Sequence, residues 1–162
     1  MTIEQYVAWL RDQGACQGAV EWSAKRADFA ACWRECDAPQ WMLWLLDHLN
    51  VLDRARNRKF ACRCVRETPL ADGRKVWDLL TDARSRAAVE CAERHAEGQA
   101  TDEELAAAWA AAVAAWAAAR AAGAAAGDAA WAAAAGGAQL DIIREMWPVE
   151  EVEQALDNRS NT

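Results

Sequence analysis

The feature that most constrains the fold of this chain is an alanine-dense segment in its C-terminal half. Of the 30 residues from Ala106 to Ala135, 22 are alanine. Alanine has the highest helix propensity, so this segment should be helical. Trp109, Val113 and Trp116 interrupt it at spacings of four and three, and Trp131 follows Trp109 by two 11-residue repeats, which keeps these side chains near one helical face. The pattern predicts two Ala/Trp-rich C-terminal helices that pack closely through their tryptophans.

Start and stop signals divide the rest of the chain into further helices. Candidate caps and first-turn residues stand at Thr2, Asp28, Pro39, Asp53, Asp82 and Thr101. Candidate stops stand at Gly14, Thr68–Pro69, Gly98, Gly123 or Gly127, and Trp147–Pro148. The run from Trp41 to Leu49 is apolar nearly all round, which predicts a central buried helix. Two-residue alternation is missing throughout, so we expect an all-α fold, a compact orthogonal or antiparallel bundle of about seven to nine helices.

The length of the chain bounds its organisation. A chain of 162 residues fits one domain, so we expect a single helical domain over residues 1–158 and a frayed C-terminus at residues 159–162. The sequence contains ten Trp, two Phe and one Tyr. Because alanine buries little area, tryptophan is expected to supply much of the bulk of the core.

Charge is distributed unevenly along the chain. The net charge is −7 and the sequence pI is about 4.9, which disfavours nucleic-acid binding. One basic cluster consists of Arg54, Arg56, Arg58, Lys59, Arg63 and Arg66. One acidic cluster consists of Asp141, Glu145, Glu150, Glu151, Glu153 and Asp157. Each cluster is either a solvated helix face or a docking surface for a partner of opposite charge.

Targeting signals and cysteine usage predict the compartment. The first residues lack a basic stretch followed by an apolar one, so no signal peptide is expected. The uncharged run over 106–119 is shorter than the roughly 20 residues that a membrane span needs. We therefore expect a cytoplasmic protein without a membrane partner, whose six cysteines are reduced.

Two cysteine-containing pairs raise the question of a metal site. Cys32 and Cys36, and likewise Cys91 and His95, are four residues apart, so each pair shares one side of a helix. Two such pairs could form a tetrahedral zinc site, although the usual Cys-x2-Cys spacing is missing. The alternative is that they are small core residues. We expect no cofactor, and a zinc-binding helical protein is kept as an alternative.

Sequence patterns of catalysis are missing. The chain contains no phosphate-binding glycine loop, no Gly-x-Gly-x-x-Gly and no Gly-x-Ser-x-Gly. Its carboxylates stand at helix caps and on polar helix faces. We therefore expect a protein that is not an enzyme and acts by surface recognition. Trp and Arg are enriched at binding hot spots, and the two charged clusters are candidate docking surfaces. The predicted partner-binding residues are therefore Arg54, Arg58, Lys59, Arg63, Trp147, Glu150 and Glu151.

Three parts of the chain carry a family resemblance. The first runs from Cys16 through Trp22 and Cys32 to Cys36 and into Trp41–Leu46. The second joins Arg58–Cys64 to Trp77–Arg94, and the third is Ala96–Leu105, which opens the alanine repeat. This layout resembles a family of alanine-rich, all-helical immunity-type proteins of bacteria and phages. Members place Tyr or Trp within the repeats, whereas this chain uses Trp alone.

The resemblance implies an all-helical protein that binds and neutralises a protein effector, or a phage-encoded inhibitor of a host system. No catalytic residues come with it. We expect a non-catalytic protein-binding protein, monomeric or homodimeric, with an unknown protein partner. The alternative is a structural or self-assembling helical protein associated with phage.

Overall fold

The computed structural model describes residues 1–70, 72–121 and 128–160, and the side chains of residues 115–121, 128–136 and 160 lie outside that description. The protein is all-α: the described residues form nine α-helices and one 3₁₀ turn and contain no strand. The helices are α1 (Ile3–Asp12), α2 (Gln17–Ser23), α3 (Phe29–Glu35), α4 (Pro39–His48), α5 (Arg54–Glu67), α6 (Ala83–Ala96), α7 (Asp102–Ala121), α8 (Asp128–Met146) and α9 (Val149–Ser160), with the 3₁₀ turn at Val76–Leu79.

The predicted helix caps are confirmed. Thr2 and Gln5 form the expected capping box, and the carboxylates of Asp28, Asp53 and Asp82 each accept a backbone N–H of the first turn that follows. Each cap satisfies a donor that has no partner inside its helix. The predicted break at Gly123 or Gly127 lies outside the described residues, and so do residues 161–162 of the expected frayed terminus; α9 extends to Ser160.

The chain divides into two compact units. The first unit contains Met1–Leu52 and Ile143–Thr162, and the second contains Asp53–Ile142. The expected single domain over residues 1–158 stays a prediction.

Helix α4 and the C-terminal segment supply much of the core of the first unit. Met42, Leu45 and Leu46 are buried, whereas Trp41 and Trp44 on the same helix are partly exposed. The predicted central buried helix is therefore buried on the side of Met42, Leu45 and Leu46, and its two tryptophans are only partly covered. The fully buried side chains of this unit also include Trp147, Ile143, Val152 and Leu156.

Trp147 is a central core residue of the first unit. None of its surface is exposed, and its indole Nε1 donates a hydrogen bond to the carbonyl of Val51 at 3.2 Å. Nearby, Arg144 donates to the carbonyls of Trp33 and Cys36 at the end of α3. The prediction that Trp147 binds a partner is wrong, because its ring points into the core of the first unit. There the indole removes its apolar surface from water and donates its N–H to the carbonyl of Val51.

An arginine holds together three elements of the second unit. Arg66 of α5 donates two hydrogen bonds of 2.8 Å to the carboxylate of Glu93 on α6, and its guanidinium lies 3.5 Å from the ring centroid of Trp77. Bidentate pairing and stacking on an aromatic face are the two interactions that suit a guanidinium best. The Arg66 side chain therefore fixes the 3₁₀ turn and α6 against α5.

Candidate binding cleft of the second unit

Helices α6 and α7 pack extensively against each other and are joined by a tight turn. Gly98 ends α6 with a φ of 74°, a left-handed conformation that favours glycine. Thr101 then begins α7 through a reciprocal capping box with Glu104, whose carboxylate accepts the Thr101 N–H at 2.8 Å while the Thr101 hydroxyl accepts the Glu104 N–H at 3.2 Å. The sequence predicted both features, and together they bring α7 back against α6.

An apolar cleft lies between these two helices and α5; we call it the α5–α7 cleft. Its volume is about 580 Å³, and its lining includes Ala61, Val65, Ala88, Val89, Leu105 and Trp109. Most of these side chains are small, so the three helices approach each other without filling the space between them. The volume falls within the range of roughly 300–1,000 Å³ that is typical of ligand pockets.

A chain of charged and polar groups borders the cleft. Arg58 of α5 contacts Nδ1 of His95 on α6 at 2.8 Å, and Nε2 of His95 contacts the carboxylate of Asp102 on α7 at 2.7 Å. A guanidinium can only donate, so Nδ1 is the acceptor and the imidazole proton sits on Nε2, from which it is donated to Asp102. The His95 side chain is 18% exposed, whereas that of Asp102 is 91% exposed. Both Arg58 and Asp102 line the cleft.

This arrangement is poorly suited to nucleophilic catalysis. Both ring nitrogens of His95 are already bound to charged side chains, so neither is available to take a proton from a nucleophile. Cys62, which also lines the cleft, directs its Sγ to the carbonyl of Val89 at 3.8 Å, and burial raises the pKa of its thiol to about 11. A thiol with such a pKa is protonated near neutral pH and is a weak nucleophile.

Two large apolar side chains of α7 are exposed beside the cleft. Trp109 is 68% exposed and Val113 is 46% exposed. The prediction that the Trp109–Val113–Trp116 face is a packing element is wrong for these two residues, because no described part of the chain covers them; the side chains of Trp116 and Trp131 lie outside the described residues. An exposed tryptophan next to an apolar cleft is typical of an interaction surface.

The predicted partner-binding residues fall in different places. Arg58 lines the α5–α7 cleft, and Arg54 and Lys59 are exposed on the same helix. Within the described part of the chain, neither Arg54 nor Lys59 forms an ion pair. Arg63 is held by Glu67, to which it donates hydrogen bonds of 2.7 and 2.9 Å.

The other predicted residues belong to the first unit. Trp147 is buried, as described above, and the first turn of α9 carries Glu150, which is exposed, and Glu151, which is partly exposed. The basic cluster therefore belongs to the second unit, whereas the acidic cluster, apart from Asp141, belongs to the first. Arg58 of the basic cluster lines the α5–α7 cleft together with the exposed Trp109.

The alternative zinc ligands are not grouped in the described residues. Cys32 and Cys36 belong to the first unit, whereas Cys91 and His95 belong to the second. Among the side chains that the structure describes, no three of His, Cys, Asp or Glu are close enough together to hold a metal ion. His95 instead forms the contacts with Arg58 and Asp102.

Sequence reasoning named several residues of the cleft but assigned them other roles. The sequence predicts His95 only as an alternative zinc ligand, and it gives no sign that Asp102, the residue after the Thr101 cap, meets it. His95 and Asp102 are seven residues apart on the consecutive helices α6 and α7, and the turn at Gly98 between them brings them together. Leu105, Trp109 and Val113 are four residues apart and so lie on one face of α7. This spacing does not show whether other helices cover that face.

Among the described residues, no helix combines the length and the apolar character that a membrane span requires. Comparisons of the chain with protein-family models, with curated proteins and with solved structures found no match.

Proposed function

We propose that this chain is a non-catalytic protein-binding protein that covers a functional surface of its partner, in the manner of an immunity-type or phage-encoded inhibitor. The proposal depends on one observation: Trp109, which lines the apolar α5–α7 cleft, is exposed, and so is Val113 one turn further along α7. Isolated exposed apolar residues are common, but an exposed tryptophan that lines an apolar cleft is typical of a binding hot spot.

The charges around the cleft define the chemistry of the partner. Arg58 borders the cleft, Arg54 lies one helical turn before it, and Lys59 is exposed beside it. These cations are available to meet carboxylates, although the protein as a whole carries a charge of −7. The expected partner segment is an amphipathic helix whose apolar face enters the cleft and whose flanking acidic residues meet the basic cluster. The charges would set orientation and association rate, and the apolar contacts would set affinity.

Two observations favour binding over catalysis. His95 has both ring nitrogens engaged, and burial raises the pKa of the Cys62 thiol to about 11. All six cysteines are free, which suits action in the reducing cytoplasm. The cleft therefore offers an apolar surface and charge complementarity without an activated nucleophile.

The experiment uses two exposed apolar residues of the same unit. In Trp109→Lys, a charge replaces the expected hot spot, and in Leu79→Lys, the same charge replaces a leucine that is 42% exposed on the 3₁₀ turn. Both variants and the wild type serve as bait in affinity capture from the native host or from phage-infected cells. The captured protein is then titrated with each bait by calorimetry. We expect Trp109→Lys to weaken binding by at least about 30-fold, as loss of a hot-spot tryptophan does, and Leu79→Lys to leave it unchanged.

Three outcomes decide the proposal. A partner that binds the wild type and the Leu79→Lys variant equally, but not Trp109→Lys, supports it when stoichiometric binding also inhibits that partner's activity. A partner insensitive to Trp109→Lys contradicts it. Self-association of the wild type that Trp109→Lys abolishes, measured by light scattering, would favour the alternative of a self-assembling helical protein.

A further inference from the structure

A second cavity lies within the first unit, between α1, α2 and α4. Its volume is about 410 Å³, and its walls include the rings of Tyr6, Trp41 and Trp44. We call it the aromatic cavity. Leu10 and Leu45 add aliphatic surface. It is separate from the α5–α7 cleft, which belongs entirely to the second unit.

The turn after α1 forms one wall of the aromatic cavity. Gly14 adopts a φ of 76°, its N–H donates to the carbonyl of Arg11, and the N–H of Ala15 donates to the carbonyl of Leu10 at 2.9 Å. This pair of hydrogen bonds is a Schellman motif, which closes the end of a helix tightly. The wall therefore has a defined shape before any ligand enters.

The chemistry of the lining selects an uncharged ligand. No charged side chain is among the residues that line the cavity, and its polar side chains are those of Tyr6, Cys16 and Gln40. A charged ligand would lose hydration without gaining a counter-ion there. The indole and phenol rings offer faces and edges against which a planar ring packs favourably.

Tyr6 is a lining residue of the aromatic cavity that carries a hydroxyl group. Tyr6 as a whole is 5% exposed, and its hydroxyl forms no hydrogen bond with any residue that the structure describes. Burial raises the pKa of this hydroxyl, so it stays protonated and can act as donor or acceptor. Its oxygen is not one of the buried polar atoms that lack a partner, so it is open to water, and a ligand with a hydrogen-bonding group can take the place of that water.

We propose that the aromatic cavity is a binding site for a small, neutral, planar aromatic molecule that carries one hydrogen-bonding group, with Tyr6 as the residue that recognises this group. Trp41 and Trp44 supply the packing surface, and the exposed amide of Gln40 lies among the lining residues. The proposal is independent of the protein-binding function proposed above, because it concerns the other unit.

Cys16 provides a built-in reporter for the site. It is exposed and lines the cavity, so an occupant would shield its thiol from an alkylating reagent. Cys64, in the second unit, is partly exposed, and burial raises the pKa of its thiol to about 11. Its slower alkylation serves as an internal reference that a ligand in the aromatic cavity should not change.

The experiment measures alkylation of Cys16 by iodoacetamide, followed by peptide mass spectrometry, with 2-naphthol as the probe. At about ten times its Kd, measured by calorimetry, 2-naphthol should slow the alkylation of Cys16 about tenfold, because the unoccupied fraction falls by that factor. Tyr6→Phe keeps the ring and removes the hydroxyl, and should weaken 2-naphthol binding by about three- to tenfold.

Two further variants locate the site. Ala15→Phe places a ring in the wall of the aromatic cavity and should abolish the protection of Cys16, whereas Ala8→Phe, on an exposed position of α1 outside the cavity lining, should preserve it. Protection that persists in Ala15→Phe, or no protection of Cys16 up to the solubility limit of the probe, overturns the proposal. If Ala15→Phe fails to fold by circular dichroism, Tyr6→Phe decides: unchanged binding in that variant overturns the assignment of Tyr6.

Discussion

Trp147 and Trp109 form a matched pair for testing how the chain uses its tryptophans. Trp147 is completely buried in the first unit, whereas Trp109 is 68% exposed in the second. Replacing each in turn with alanine removes the same atoms from two opposite environments. The difference between the two variants therefore measures how much burial of the tryptophan side chain contributes to the free energy of unfolding.

The structure sets the expected magnitudes. A buried tryptophan removes roughly 150–250 Å² from water, which corresponds to about 4–6 kcal/mol at about 25 cal/mol per Å². Alanine keeps a small part of this, but Trp147→Ala also leaves the carbonyl of Val51 without its indole donor, at a cost of about 1 kcal/mol. We expect the free energy of unfolding to fall by about 4–6 kcal/mol. For Trp109→Ala, the smaller buried fraction gives about 1–2 kcal/mol, from which the better helix propensity of alanine subtracts about 0.5 kcal/mol.

The assay is chemical denaturation followed by far-UV circular dichroism, since fluorescence would mix the signals of ten tryptophans. Trp147→Phe serves as an intermediate variant that retains an aromatic ring but loses the hydrogen bond to Val51. If Trp147→Ala costs about 1 kcal/mol or less, Trp147 is a surface residue and the described core of the first unit is wrong. If Trp109→Ala costs as much as Trp147→Ala, the side chain of Trp109 is covered, and the proposed binding surface loses its main support.

Three further predictions concern a helix cap, a titrating carboxylate and thiol reactivity. Thr101→Ala removes half of the capping box of α7 and should lower the free energy of unfolding by about 1 kcal/mol, measured by urea denaturation. Hydrogen bonds from Arg84 lower the pKa of Asp82 to about 2, so the stability that the carboxylate contributes is complete above its ordinary pKa of 3.8 and is lost as the pH falls through about 2. The difference in thermal stability between the wild type and Asp82→Asn should therefore shrink as the pH falls over that interval. A difference that stays constant would contradict this prediction. Cys16 is exposed, whereas burial raises the pKa of the Cys62 thiol to about 11. Alkylation near neutral pH should therefore modify Cys16 well before Cys62. Equal alkylation rates for the two thiols would show that the second unit opens readily.

Features that depend on neighbouring residues could be predicted from the sequence. A cap is set by a side chain and a backbone N–H two or three positions away, which is why the starts of α1, α3, α5 and α6 were predicted correctly. The same holds for Gly98, where the turn needs a left-handed residue. The all-α class follows from the sum of these local signals.

Exposure could not be predicted, because it depends on which surfaces meet in space. Spacing places Trp109 and Val113 on one face of α7, but it does not say what covers that face, and the expected core residues are exposed. Trp147 is a predicted partner-binding residue, yet it is completely buried. The Arg58–His95–Asp102 contacts likewise need three helices in register, which no local pattern encodes.

The division of the chain has a consequence for the order in which its parts fold during synthesis. The second unit is one continuous segment, Asp53–Ile142, so all of its residues have been synthesised while the ribosome is still adding α9. The first unit must wait for its last residues: the indole of Trp147 meets Val51 from 96 positions away, and Arg144 meets the carbonyl of Trp33 from 111 positions away. Contacts of such separation form late and close large loops. Until they form, the carbonyls of Trp33, Cys36 and Val51 lack the partners that the C-terminal segment gives them, so the first unit is expected to complete its packing last.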